Sequence, residues 1–203
     1  MSGAGDSGEP NRTAAPDSPP AGSHKTAAGD DHAMPDREPH GIPDGAVDAL
    51  QHYFDTQHEF LSWLGVEVEE LGEGRAVMSI PYQSKLTNVP WQGAEEGERH
   101  PIQGGVASTL IDVVGGIALR PYLDDPLSDG MATINLNVNY LRPAAGDLRA
   151  EAEVIRAGRS VGVSEVLVTG EVPGDGEPKA VAHGTGAYRL FRGGESAEDG
   201  GED

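Results

Sequence analysis

One carboxylate stands where its surroundings make it costly. Asp112 lies inside the run from Gly104 to Leu119, Gly-Gly-Val-Ala-Ser-Thr-Leu-Ile-Asp-Val-Val-Gly-Gly-Ile-Ala-Leu, which is apolar or small on every side. A charged group there must be paired, hydrogen-bonded or protonated. It could bond a neighbouring backbone group or sit on a wet edge; it could equally be a proton acceptor or a nucleophile. At the start of the same run Gly104 and Gly105 would form a helix N-terminus, where backbone N–H groups lack intrahelical partners and the dipole is positive. Such an end stabilises a developing oxyanion, and glycine permits close approach to the backbone. Asp112 is two turns further on, about 12 Å along the axis at ~1.5 Å per residue. One chain cannot easily bring both groups to one reacting atom.

The elements around these residues can be read from periodicity. Val47, Leu50, Tyr53, Phe54, Phe60, Leu61 and Leu64 recur at helical steps and predict a helical segment that Gly65 stops. Val66–Leu71 and Arg75–Pro81, joined by Gly72-Glu73-Gly74, read as a β-hairpin. A long polar connection follows, residues 83–101, with Asn88, Gln92 and the charged patch Glu95–Arg99. The run around Asp112 then predicts a helix with no polar face, hence a buried one. Met131–Leu141, Arg149–Ala157, Val161–Val172 and Lys179–Phe191 alternate as strands with short turns between them, which implies an antiparallel sheet. One buried helix with strands on both sides gives an α+β fold, a sheet curled around the helix.

Composition sets the limits. Residues 1–45 are Gly, Pro, Ser, Ala and acids with almost no large apolar side chain, and residues 193–203 carry five acids and no base. Both are expected to be disordered tails flanking one domain, residues 46–192. Net charge is −20, which argues against nucleic acid or an anionic membrane as partner. Three lysines stand against eleven arginines, a pattern expected of adaptation to high salt, where screening removes self-repulsion. There is no cysteine, so there is neither disulfide nor thiolate chemistry. No apolar run reaches the ~18 residues of a membrane span, and a soluble, cytoplasmic protein is expected. The histidines form no metal-ligand pattern: His24, His32 and His40 fall in the tail, and His52 and His58 would face different ways. No metal and no cofactor are expected.

Gln103-Gly104-Gly105 with Asp112 nine positions after Gln103 resembles the signature of PaaI-like hotdog thioesterases, which start the central helix with His-Gly-Gly and place an Asp or Glu nine positions after the His. Ala132–Ala144, with Tyr140-Leu141-Arg142-Pro143, resembles that family's strand and Tyr-x-x-Pro corner. Ile155–Ser160, Phe60-x-x-x-Leu64-Gly65-Val66 and Ala182–Thr185 follow in the family's order. The resemblance implies a hotdog fold, an antiparallel sheet wrapped around a long apolar helix. It implies hydrolysis of a small-to-medium acyl or aryl coenzyme A thioester in a homodimer, or a homotetramer built as a dimer of dimers. The Gly104 amide of one subunit would polarise the carbonyl, with Gly105 beside it. Asp112 of the other would act as base or nucleophile. Asn88, or else Gln92, takes the position of a loop amide that holds the substrate carbonyl or the water. Gln103 replaces the His that positions the glycine amide, and Thr133 aligns with a hydroxyl that orients water. Arg142, Arg156 and Arg159 are candidates for the coenzyme A phosphates. Each helper also has a structural reading: a loop amide bonding its own backbone, a β-branched strand residue, surface charge balance. Two other functions fit the same fold. A hydratase or dehydratase needs a His at the helix start, which is absent; a non-catalytic acyl-CoA sensor would not need Asp112.

Overall fold

The computed structural model describes residues 37–88, 99–175 and 177–192. Gln92 and most of both expected tails lie outside them. Contacts with the domain begin before Ala46: the His40 N–H donates to Pro121 O at 2.5 Å.

The first helical segment is broken in two, α1 (Ala46–Gln57) and α2 (Glu59–Leu64). His58, at φ −120° and ψ 80°, leaves the helical region, and its ring nitrogen accepts from Leu61 N. Gly65 closes α2 in the left-handed region at φ 74°, its N–H reaching Leu61 O and Ser62 O. The hairpin follows as β1 (Glu67–Gly72) and β2 (Arg75–Ile80). Glu73 and Gly74 both have positive φ, 48° and 79°, the two-residue turn whose twist matches its strands.

The central helix, α3 (Gly104–Ile117), precedes β3 (Met131–Tyr140), β4 (Leu148–Ala157), β5 (Val161–Glu171) and β6 (Pro178–Leu190). The sheet is antiparallel throughout, in the order β1-β2-β4-β5-β6-β3. The succession of strands suggested hairpins all the way, and between β3 and β4 that is corrected. β3 pairs with β6, Asn137 opposite Thr185, and β4 pairs with β2, Ala150 opposite Met78. The link between them crosses the sheet end instead of turning back: Leu141 and Arg142 donate to Val181 O, and Ala145 donates to Glu171 O.

Leu110, Ile111 and Val114 of α3 are fully buried against Met78, Ile80, Leu148, Ala150, Val166 and Val168. The helix is not covered all round, however, as its composition suggested. Gly105 is exposed, and Ser108, Thr109, Asp112 and Val113 are only partly covered. Their three- and four-residue spacing makes one open stripe. β3, beside it, is an edge strand with almost nothing over it; Ile134 and Tyr140 are 57% and 59% exposed. Among the described residues no helix is long and apolar enough to cross a membrane.

Candidate active site

Gln103 is the N-cap of α3. Its side-chain Oε1 accepts from the Gly105 N–H at 2.5 Å, so that amide is already engaged. Among the described residues the Gly104 N–H has no hydrogen-bond partner. The glutamine in the histidine's expected place therefore fixes the glycine turn and leaves one amide free. The chain before it returns to the same spot. Thr87 bridges Ile102, the Asn88 N–H donates to Pro101 O at 2.9 Å, and the Gln103 N–H donates to Leu86 O at 2.9 Å. These bonds carry Asn88 to a cleft of about 360 Å³ lined also by Gln103, Gly104, Tyr140, Arg142 and Val181.

Asp112 is half-buried on the open stripe, and the Thr133 hydroxyl donates to its carboxylate at 2.7 Å. Among the described residues no cation pairs with it. β3 runs back along α3, for Thr133 near its start meets Asp112, while Tyr140 at its end bonds the Ser108 hydroxyl. The Tyr140 ring lies over Gly104 so closely that a Cβ there would be 3.1 Å from its Cε1. Beneath the stripe the Tyr188 hydroxyl donates to the backbone carbonyl of Asp112 at 3.0 Å, and Ser164 donates to Gly115 O at 3.0 Å. Burial pushes the Tyr188 phenol far above its usual range, and the nearby Asp112 carboxylate adds to it.

The arginines divide. Arg142 lines the cleft, and its Nη1 donates to Ala180 O at 2.8 Å. Arg156 stands eight residues along β4 from the cleft residue Leu148, roughly 26 Å at the rise of a strand. Arg159 lies beyond it, its carbonyl accepting from Arg192. Within one chain neither is brought to Gly104. Among the described residues no cluster of His, Asp and Glu could hold a metal. Sequence reasoning did not single out Ser108, Tyr140 or Tyr188 as part of this site. Tyr140 was visible in the Tyr-x-x-Pro corner; Tyr188 gave no local signal, being one aromatic in an alternating strand. A second cleft, about 400 Å³, lies on the other side of Gly105 between α2 and α3.

The model of the thioesterase superfamily matches residues 102–176. A Halobacterium salinarum protein named as an esterase is 49% identical over 150 residues, 73% of this chain and 95% of the relative. A thioesterase family protein from Silicibacter pomeroyi has a TM-score of 0.56 at 25% identity, covering 71% of this chain and 96% of that one. The E. coli PaaI protein from the phenylacetic acid degradation operon shares the fold, with a TM-score of 0.55 at 21% identity over 72% of this chain and 94% of that one.

Proposed function

This chain belongs to the thioesterase superfamily and is a hydrolase acting on thioesters, and we propose that it cleaves acyl-coenzyme A with Asp112 as catalytic carboxylate and the Gly104 N–H of a partner subunit as oxyanion donor. The acidic, lysine-poor composition fits a halophilic origin, as does the Halobacterium relative. The observation that carries the proposal is the open stripe. The Gly104 amide, beside the Tyr140 ring, and the hydroxyl-held Asp112 carboxylate flank the partly covered stripe of α3, too far apart to meet within a chain. Two such helices laid antiparallel put each Gly104 opposite the other's Asp112.

In that arrangement the thioester carbonyl accepts from Gly104 N–H, and Asn88 at the mouth is placed to hold the carbonyl or the water. Asp112 takes a proton from water as it attacks, or attacks the carbonyl itself to give an anhydride that water opens. On the first route the tetrahedral oxyanion expels the coenzyme A thiolate, which takes back the proton held by Asp112, leaving the free acid. On the second the thiolate leaves as the anhydride forms, and water opens the anhydride to the free acid and Asp112, its proton passing to the thiolate. Gln103 and Thr133 act as positioning residues, one for the amide and one for the carboxylate. Arg142 would meet the anionic coenzyme at the cleft, while Arg156 and Arg159 could reach it only from the partner subunit.

Release of free thiol from a panel of acyl-CoAs in molar salt tests the activity. Asp112→Ala should lose roughly 100- to 10,000-fold in kcat. The shared site is tested by mixing subunits. Gly104→Pro removes the amide hydrogen at a position where proline suits a helix start. Asp112→Ala and Gly104→Pro proteins should each be inactive alone and regain activity as mixed dimers, since one of the two sites is then intact. Mixed dimers as dead as their parents would overturn the shared site. Gly104→Ala, which keeps the N–H, controls for crowding against Tyr140.

A further inference from the structure

The turn that carries the free Gly104 N–H has a cleft on each side, and Gln103 lines both. The second cleft is walled by Phe60, Trp63, Leu86 and Val106, with Gly105 and Thr109 on the α3 side. α2 turns Phe60 and Trp63, three residues apart, away from the core, and each is 52% exposed. Large apolar side chains gathered around a cavity mark a ligand groove more often than an isolated exposed one does. Trp63 is also held in place. Lys85 Nζ sits 4.7 Å from the ring centroid and donates to Trp63 O at 2.5 Å, so one ammonium grips both ring and backbone. In a chain of net charge −20, no carboxylate among the described residues pairs with Lys85.

Resting on the reading of Gly104 as oxyanion donor, the two clefts divide the substrate. A thioester carbonyl at that amide sends its two substituents to opposite sides of the turn. The sulfur leads to a long, polar, anionic coenzyme, which suits the cleft where exposed Arg142 stands with no carboxylate partner among the described residues. The acyl group then falls between α2 and α3. The geometry points to the Phe60–Trp63 cleft as the acyl-binding pocket, selecting flat aromatic acyl groups, with Trp63 as the specificity-determining wall. Lys85 is the positioning residue that keeps this wall upright.

The test compares benzoyl-CoA with acetyl-CoA in molar salt, using the full chain and its Trp63→Ala, Trp63→Phe and Lys85→Met variants. Wild type should favour benzoyl-CoA in kcat/KM by on the order of tenfold or more. Trp63→Ala should lose most of that preference, benzoyl-CoA turnover falling much further than acetyl-CoA turnover; Trp63→Phe should restore part of it, and Lys85→Met should show a smaller loss of the same sign. An equal fall for both substrates would mean that the cleft holds the coenzyme, which they share, and would overturn the proposal. So would no change in either. Titration calorimetry of both thioesters on Asp112→Ala protein, with and without Trp63→Ala, reads the same preference as affinity. Wild type that hydrolyses neither thioester therefore sinks the thioesterase reading alone, and the binding ratio still decides this one.

Discussion

The two ends of α3 are finished in opposite ways. At its C-terminal end Gly115, Gly116 and Ile117 are buried by the chain's own β5 and β6. Tyr188 and Ser164 reach into the helix there, bonding the carbonyls of Asp112 and Gly115, and any Cβ on Gly115 would overlap the Tyr188 hydroxyl. At the N-terminal end Gly105, Ser108, Thr109 and Asp112 are exposed or only partly covered beside β3, the edge strand of the sheet among the described residues. The closed end is an ordinary domain core, where glycine is needed because a phenol fills the space. The open end is where the proposed second subunit would pack, since a long exposed edge with apolar side chains is a liability unless something covers it. Stability and activity should therefore separate along one helix.

The sharpest way to break this comparison is at the edge strand. Ile134→Glu adds a charge where the proposed partner would pack and touches nothing at the closed end. It should give a folded monomer by sedimentation and a loss of thiol release of roughly 100-fold or more, the scale of a missing oxyanion donor. A monomer with full activity would show the open stripe to be complete on its own. Gly115→Ala probes the other end. The overlap with Tyr188 should cost about 1–3 kcal/mol in urea melts, with the dimer retained. Tyr188→Phe removes the overlapping hydroxyl, so the double variant should lose less than the sum of the two single losses. Strict additivity would mean that the ring, and not its hydroxyl, sets the fit.

Both ends were partly legible in the sequence, for different reasons. The unbroken apolar run identified α3, and alternation identified all four long strands to within a residue or so, because each pattern is local. Gly65 and Gly74 marked their turns because left-handed φ favours glycine. The open stripe was hidden, since Gly, Ser and Thr are small enough to be read as buried. Asp112 and Thr133 were each singled out, but their contact depends on β3 pairing with β6, which no local signal shows. The break at His58 was also invisible, because the apolar spacing runs straight through it. Arg156 and Arg159 looked close to the substrate mouth only while the length of β4 was not drawn out in space.

A smaller effect sharpens the open end. Thr133→Val keeps the β-branched shape of the strand and removes the hydrogen bond to the Asp112 carboxylate. A bond to a charged group contributes about 1.5–3 kcal/mol to stability and less where it is exposed, so the melting temperature should fall modestly. With the carboxylate no longer held, kcat should fall by about tenfold with KM nearly unchanged. Unchanged turnover would reduce the contact to packing.

The smallest expected effect belongs to the side of the sheet away from the open edge. Arg75 bonds Glu151 on β4 at 2.7 Å and also pairs with Glu70 on β1, while Arg149 bonds Glu69 at 2.9 Å and Glu151 at 3.4 Å. The hydrogen bond from Arg75 holds the Glu151 carboxyl below the usual glutamate range, and Arg149 adds to it. A carboxyl lowered in the folded state stabilises the fold above the unfolded glutamate range, and that stabilisation is lost as pH falls through the lower folded value. Because these side chains are exposed, salt should screen the pairs as well. Arg75→Gln should thus lower the melting temperature slightly in dilute neutral buffer. The gap should close both in acid and in molar salt, and activity per folded dimer should not change. A gap that persisted in molar salt would mean that Arg75 contributes through the packing of its stem across β1, β2 and β4. A fall in activity would instead couple this distant face to the open stripe, and the division of the molecule into a closed and an open part would not survive it.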